Sequence, residues 1–193
     1  MAAGFARAGE FASGGIDTHP DSGRTKLNIP TMRPNLAYVV DGNVVEMVEL
    51  DQIHQKNSIR HLSVAQDGTV AFGMQWQGDS PAPPLVGVHQ RGAVPLLTST
   101  TERQMQGYVG SITFTGDGMQ IIATSPRGGR VQRYDAKTLA LLDQVDLTDA
   151  CGAAATPQGV IITTGAGQLV DLATQRSQDT PSLQWDNHLV SLG

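Results

Sequence analysis

Cysteine is almost missing from this chain: Cys151 stands alone in 193 residues, so no disulfide can close within it. A reducing compartment and a disulfide-free exported protein both fit that count. Aromatic residues are scarce at 5%, charged residues reach only 16%, and lysines and arginines nowhere gather into a run. With a formal net charge of -5, the chain lacks the basic footprint that a phosphate backbone selects, so nucleic acid is excluded as an expected partner. Long apolar runs are missing too. No stretch approaches the roughly 18 residues of a membrane helix, and residues 1–10 have neither the charged nor the apolar region of an export signal. As written, that N-terminus reads as a disordered lead-in to a cytoplasmic protein, with the folded domain beginning at residue 11.

Glycine and proline are abundant instead, 22 and 10 residues among clusters of Val, Ile and Thr. Many short strands joined by tight turns need that composition. Three stretches also echo one another: Ser58-Ile-Arg-His-Leu-Ser-Val-Ala-Gln-Asp-Gly68, Gly110-Ser-Ile-Thr-Phe-Thr-Gly-Asp-Gly118 and Cys151-Gly-Ala-Ala-Ala-Thr-Pro-Gln-Gly159. Their turn glycines fall 50 and 41 positions apart, close to the length of a four-stranded propeller blade. Asp-Gly between alternating apolar runs is a hairpin signal, because both residues tolerate positive φ.

The expected fold is therefore all-β, a β-propeller of about four four-stranded blades. One unit places strands A to D at 59–65, 69–75, 85–89 and 93–98, and the next at 109–115, 119–124, 130–134 and 139–145. A third runs through 151–155, 160–164 and 168–173, with a vestigial fourth strand at 175–178. Near the N-terminus, 36–40 and 44–50 form the C and D half of a unit, with 11–13 a candidate B strand and no A strand at that end. Residues 187–192 read as an unaccompanied A strand. Two architectures follow: a small closed ring sealed by the two termini, or an open part of a larger propeller. The open form exposes sheet edges and predicts self-association or a partner chain.

Connections B–C (14–35, 77–84, 125–130) and D–A (51–57, 99–107, 179–186) are long and share one face, where functional residues are expected. His19, His54, His61 and His188 belong to that face, and His89 to the opposite one. Arg60-His61-Leu62 matches Asn187-His188-Leu189, and His61, Ser111 and Gly152 share one register. Arg60, His61, Ser111, Arg127, Asp186 and His188 are thus candidate ligand-binding residues around the channel. Asp17, His19 and Asp21, with His61 and His188, form a candidate site for iron or another divalent metal. Each has a plainer role open to it, as a cap or a hydrogen-bonding group that consolidates the repeat. Ser125-Pro-Arg-Gly-Gly-Arg130 carries two guanidiniums that can hold a carboxylate or phosphate, yet it joins two strands and so is no P-loop. Cys151 reads as structural, Trp76 and Trp185 as packing beneath loops or lining a pocket, and no serine sits in a nucleophile elbow.

Residues 14–24, Met32-Arg-Pro-Asn-Leu-Ala-Tyr38, Ser58-Ile-Arg-His-Leu62, Gly107-Tyr-Val-Gly-Ser111 and Thr124-Ser-Pro-Arg-Gly-Gly129 together resemble the DUF1513 family. The resemblance covers the chain from about residue 11 onward. It implies a seven-bladed, YVTN/quinoprotein-dehydrogenase-like propeller of which this chain matches the C-terminal half. It further implies a periplasmic setting, behind a twin-arginine signal outside this chain, and an accessory role beside iron-uptake proteins. No catalytic residues come with it. The leading expectation is a noncatalytic binding or scaffolding propeller. The rivals are a propeller enzyme of lactonase or quinoprotein-associated type, and a gene fragment without independent function.

Overall fold

The structure is a computed structural model that describes residues 3–5, 19, 21, 25–79, 83–99, 103–180 and 182–191. Alternating apolar residues and tight turns give fifteen strands in four antiparallel sheets among the described residues. The first sheet holds β1 (Ala3–Phe5), β2 (Asn35–Val40) and β3 (Asn43–Glu49). The second is a meander of β4 (Asn57–Val64), β5 (Val70–Trp76), β6 (Val86–His89) and the two-residue β7 (Leu96–Leu97). The third runs through β8 (Ser111–Phe114), β9 (Gln120–Ser125), β10 (Arg130–Asp135) and β11 (Leu141–Asp146). The fourth comprises β12 (Ala150–Thr156), β13 (Gly159–Thr164), β14 (Gln168–Asp171) and β15 (Ser177–Asp179). This is the expected β-propeller, with β4, β8 and β12 as consecutive inner strands packed on one another.

The repeated turns form for the reason their sequence suggests. Gly68 and Gly118 take φ of +85° and +71°, and the preceding aspartates accept the backbone N–H two residues on, Asp67 from Thr69 and Asp117 from Met119. The Thr69 bonds at Asp67, and the Thr115 hydroxyl followed by the Met119 N–H at Asp117, favour the charged carboxylates and lower both pKa values. At Asp41-Gly42 both residues have positive φ, as a tight hairpin with native twist requires.

Apolar inner faces meet between sheets. Phe72, Met74, Val109, Ile112, Ile121 and Tyr134 are buried in one cluster spanning the first three sheets, while Ile122, Val131, Ala150, Ile162 and Val170 join the third to the fourth. Each large side chain so buried contributes about 1.5–3 kcal/mol. Hydroxyls stitch the inner strands across the repeat. Ser63 Oγ accepts from Phe114 N–H at 3.1 Å, and Ser111 Oγ from Ala153 N–H at 3.1 Å. The first sheet docks through a buried polar pair. His89 Nε2 lies 2.9 Å from the Ala93 carbonyl, which can only accept, so Nδ1 is the acceptor of the Tyr38 O–H at 2.6 Å.

Two expectations at the chain ends differ from the structure. The strand beside β2 is Ala3–Phe5, which lies within the segment expected to be disordered; the alternative at 11–13 lies outside the described residues. Residues 187–191 are not a strand. They cross the inner strands instead: Asn187 Nδ2 donates to the Tyr108 hydroxyl at 2.6 Å, and Leu189 seats on Gly152. Only a glycine permits that seat, since a Cβ there would come within 2.8 Å of Leu189 Cβ. The C-terminal segment therefore does not seal a ring. Among the described residues, no strand of the fourth sheet packs on the first beyond a marginal contact.

Candidate functional site

The inner strands lose their regular ladder at one level, and a cavity of about 1090 Å³ opens there. Successive residues on a strand normally point to opposite faces. In β4 the register shifts between Ile59 and His61, and this bulge lets the consecutive Arg60 and His61 both line the cavity. In β12 a matching shift lies between Ala150 and Ala153, spanning Cys151 and Gly152. Between them β8 begins only at Ser111, and the preceding backbone leaves it to bond β5, with Val109 N–H donating to the Met74 carbonyl at 3.0 Å. That path sets Tyr108 in the wall.

Long connections supply the rest. Arg127 comes from the loop between β9 and β10, and its guanidinium lies 5.1 Å from the centre of the Tyr108 ring. The loop is held rigidly: Ser125 Oγ donates to the Met105 carbonyl at 2.8 Å and accepts from Gly128 N–H at 3.0 Å. Lys26 enters from the segment before β2, its ammonium bonded to Gln77 Oε1. Residues 184–188 close the remaining side. Trp185 is fixed by its indole N–H, which donates to Thr180 Oγ1 at 2.9 Å.

Five of the six residues singled out for ligand binding line this cavity: Arg60, His61, Arg127, Asp186 and His188. Ser111 does not. It is buried, and its hydroxyl is spent on the Ala153 amide, so it acts as an inter-strand bond. Arg130 also lies elsewhere, paired with Asp146 directly across the β10–β11 ladder at 2.8 Å. Sequence reasoning overlooked Lys26, Tyr108, Asp149 and Asn187 as lining residues. The Gly107-Tyr-Val-Gly-Ser111 motif was the one available signal for Tyr108.

The metal candidates do not assemble. Asp17 lies outside the described residues. His19 Nδ1 accepts the Asp21 amide at 3.1 Å, a local turn bond. The His61 and His188 rings do meet, with centroids 5.2 Å apart, yet among the described residues no three of His, Cys, Asp or Glu gather as ligands. Among the described residues, the His61–His188 pair supplies two imidazoles and no third side-chain ligand for iron or another divalent metal.

The electrostatics of the walls differ. Burial, then His188 and Arg60, push the His61 imidazole from 6.5 down to about 4, although Asp186 pulls the other way. His61 is a neutral donor and acceptor at physiological pH. Burial and Asp149 raise the Cys151 thiol to about 11, and its S–H points to the Asp149 carbonyl at 3.1 Å. A thiol so placed is no nucleophile. Lys26 is shifted down by burial and by the two guanidiniums of Arg60 and Arg127, so three cations converge on one side.

Trp76 is not in the cavity wall. Its ring packs over Gly78 and its N–H donates to the Asp79 carbonyl at 2.6 Å.

Comparison with known proteins agrees with the fold. The family model described as "Protein of unknown function (DUF1513)" matches residues 7–192. No curated protein matches the sequence. Among solved structures, a chain of the nidogen/laminin complex aligns with TM-score 0.52 and 14% identity, covering 78% of this chain and 59% of that one. Hydrazine synthase of Kuenenia stuttgartiensis aligns with TM-score 0.54 and 12% identity, covering 75% and 42% respectively. Both are propeller folds, and this chain spans less than two thirds of either.

Proposed function

The chain belongs to the DUF1513 family, and we propose that it is a noncatalytic binding propeller whose ligand seats in the cavity over the bulged inner strands. One observation carries the reading: an open, largely polar cavity of about 1090 Å³ whose thiol is held protonated and whose best-placed imidazole is held neutral, beside anchored cations. Such a site is built to hold a small molecule by hydrogen bonds and charge rather than to attack it. Support for a wider role, as a periplasmic accessory of iron uptake, comes from the family resemblance alone. Iron reaching this cavity would come as a chelate, since His61 and His188 offer only two donors.

A thermal-shift screen of sugars, amino acids, organic acids and ferric chelates tests the reading. At least one compound should raise the melting temperature of the wild type, and the shift should shrink in His188→Trp, which fills part of the cavity from an exposed position. Recovery of that compound unchanged after prolonged incubation is expected. A compound that is turned over, or a panel without any cavity-dependent shift, would reject the proposal.

A further inference from the structure

On the reading that this cavity binds a ligand, we propose that the ligand is a compact polyanion, a hydroxycarboxylate or a phosphate ester, with its charged end held between Lys26, Arg60 and Arg127. The three cations come from separate parts of the chain: the segment before β2, the β4 bulge, and the β9–β10 loop. Nothing local brings them together. The fold places them along one cavity, close enough that both guanidiniums disfavour the charge on Lys26. Like charges gathered in this way cost stability in the empty protein, and an anion between them turns that cost into attraction.

Asp149 acts on the Cys151 thiol, and Asp186 on His61 and Cys151, whereas the charges acting on Lys26 are both cations. Lys26 thus has cationic neighbours, while Asp149 and Asp186 line the same cavity. Anionic oxygens suit the three cations, and hydroxyl donors suit the two carboxylates. The Arg127 guanidinium lies 5.1 Å from the centre of the Tyr108 ring, and its fork of N–H groups suits two oxygens of a carboxylate or phosphate. The neutral His61 adds a hydrogen bond without adding charge.

Calorimetric titration of the whole chain at low ionic strength, with citrate, inorganic phosphate, glucose and spermidine in separate runs, tests the assignment. Citrate or phosphate should bind, and more weakly as sodium chloride is added. Arg127→Gln and Lys26→Gln should each weaken that binding by about tenfold to a hundredfold. Neither variant should lower the melting temperature of the empty protein by more than a few degrees, because relieved repulsion offsets the lost Gln77 bond or Tyr108 contact; that readout separates a binding role from a structural one. Saturation by citrate alone assigns a carboxylate ligand, and saturation by phosphate alone a phosphoryl one. Either result supports the proposal. Binding of glucose or spermidine without either anion overturns the polyanion assignment yet leaves a binding cavity. Failure of all four probes overturns it, and when the broader compound screen is also blank the binding reading falls with it. Anion binding that a chain carrying both Lys26→Gln and Arg127→Gln retains at full strength also overturns it.

Discussion

Acid should destabilise this protein through one imidazole. His61 is half-buried beside His188, Arg60 and Asp186, and its folded pKa is about 4 in place of 6.5. An unfolded chain takes up the proton near pH 6.5, whereas the folded chain resists until about 4, so between these values the unfolded state binds more protons. Stability from this group is therefore complete above the unfolded value and is lost as pH falls toward the folded one. Each pH step well inside the window costs up to about 1.4 kcal/mol. Going from pH 7 to pH 5 removes ~2 kcal/mol by that arithmetic, or about 1 M in the urea midpoint for a domain of this size. Wild type and His61→Gln should be unfolded in urea at both pH values, followed by the fluorescence of Trp76 and Trp185. Titrating groups distant from His61 are common to the two proteins and cancel in the difference. The wild type should lose ~2 kcal/mol more than the variant over this range. Parallel losses would show that His61 is not held neutral, and the electrostatic picture of the cavity would fail with it.

Tyr38→Phe should cost about 1–3 kcal/mol, because it leaves His89 Nδ1 buried without its donor; an unchanged melting temperature would mean that the first sheet is not docked through this pair. Gly152→Ala should displace Leu189 and cost about 1–3 kcal/mol by overpacking, seen as faster proteolysis within residues 182–191. Cys151 should react with a thiol reagent at pH 8 only after unfolding, since its pKa of about 11 leaves little thiolate; rapid labelling of the folded protein would contradict that burial.

Strand positions were legible wherever alternation and turn chemistry agreed. Asp67-Gly68 and Asp117-Gly118 announce their hairpins because the aspartate bonds and the glycine φ are local properties. The C-terminal segment was misread for the opposite reason. Asn187-His188-Leu189 copies Arg60-His61-Leu62, yet a strand needs a partner ladder, and Asn187 and Leu189 find Tyr108 and Gly152 instead. The echo did bring His61 and His188 together, as two rings in contact rather than as residues of equivalent strands. Ser111 shared their register but not their surroundings, because the Ala153 amide claimed its hydroxyl.

The cavity divides along the same line. Composition, spacing and turn residues by themselves determined an all-β propeller and the face that carries its long loops, because those features depend on neighbours in sequence. Only the tertiary structure decided that a bulge turns Arg60 and His61 the same way, that residues 184–188 form a wall, and that Lys26 faces two guanidiniums. Charge and burial act through distance in space, and no periodicity in the chain records that Lys26 and Arg127 share one opening.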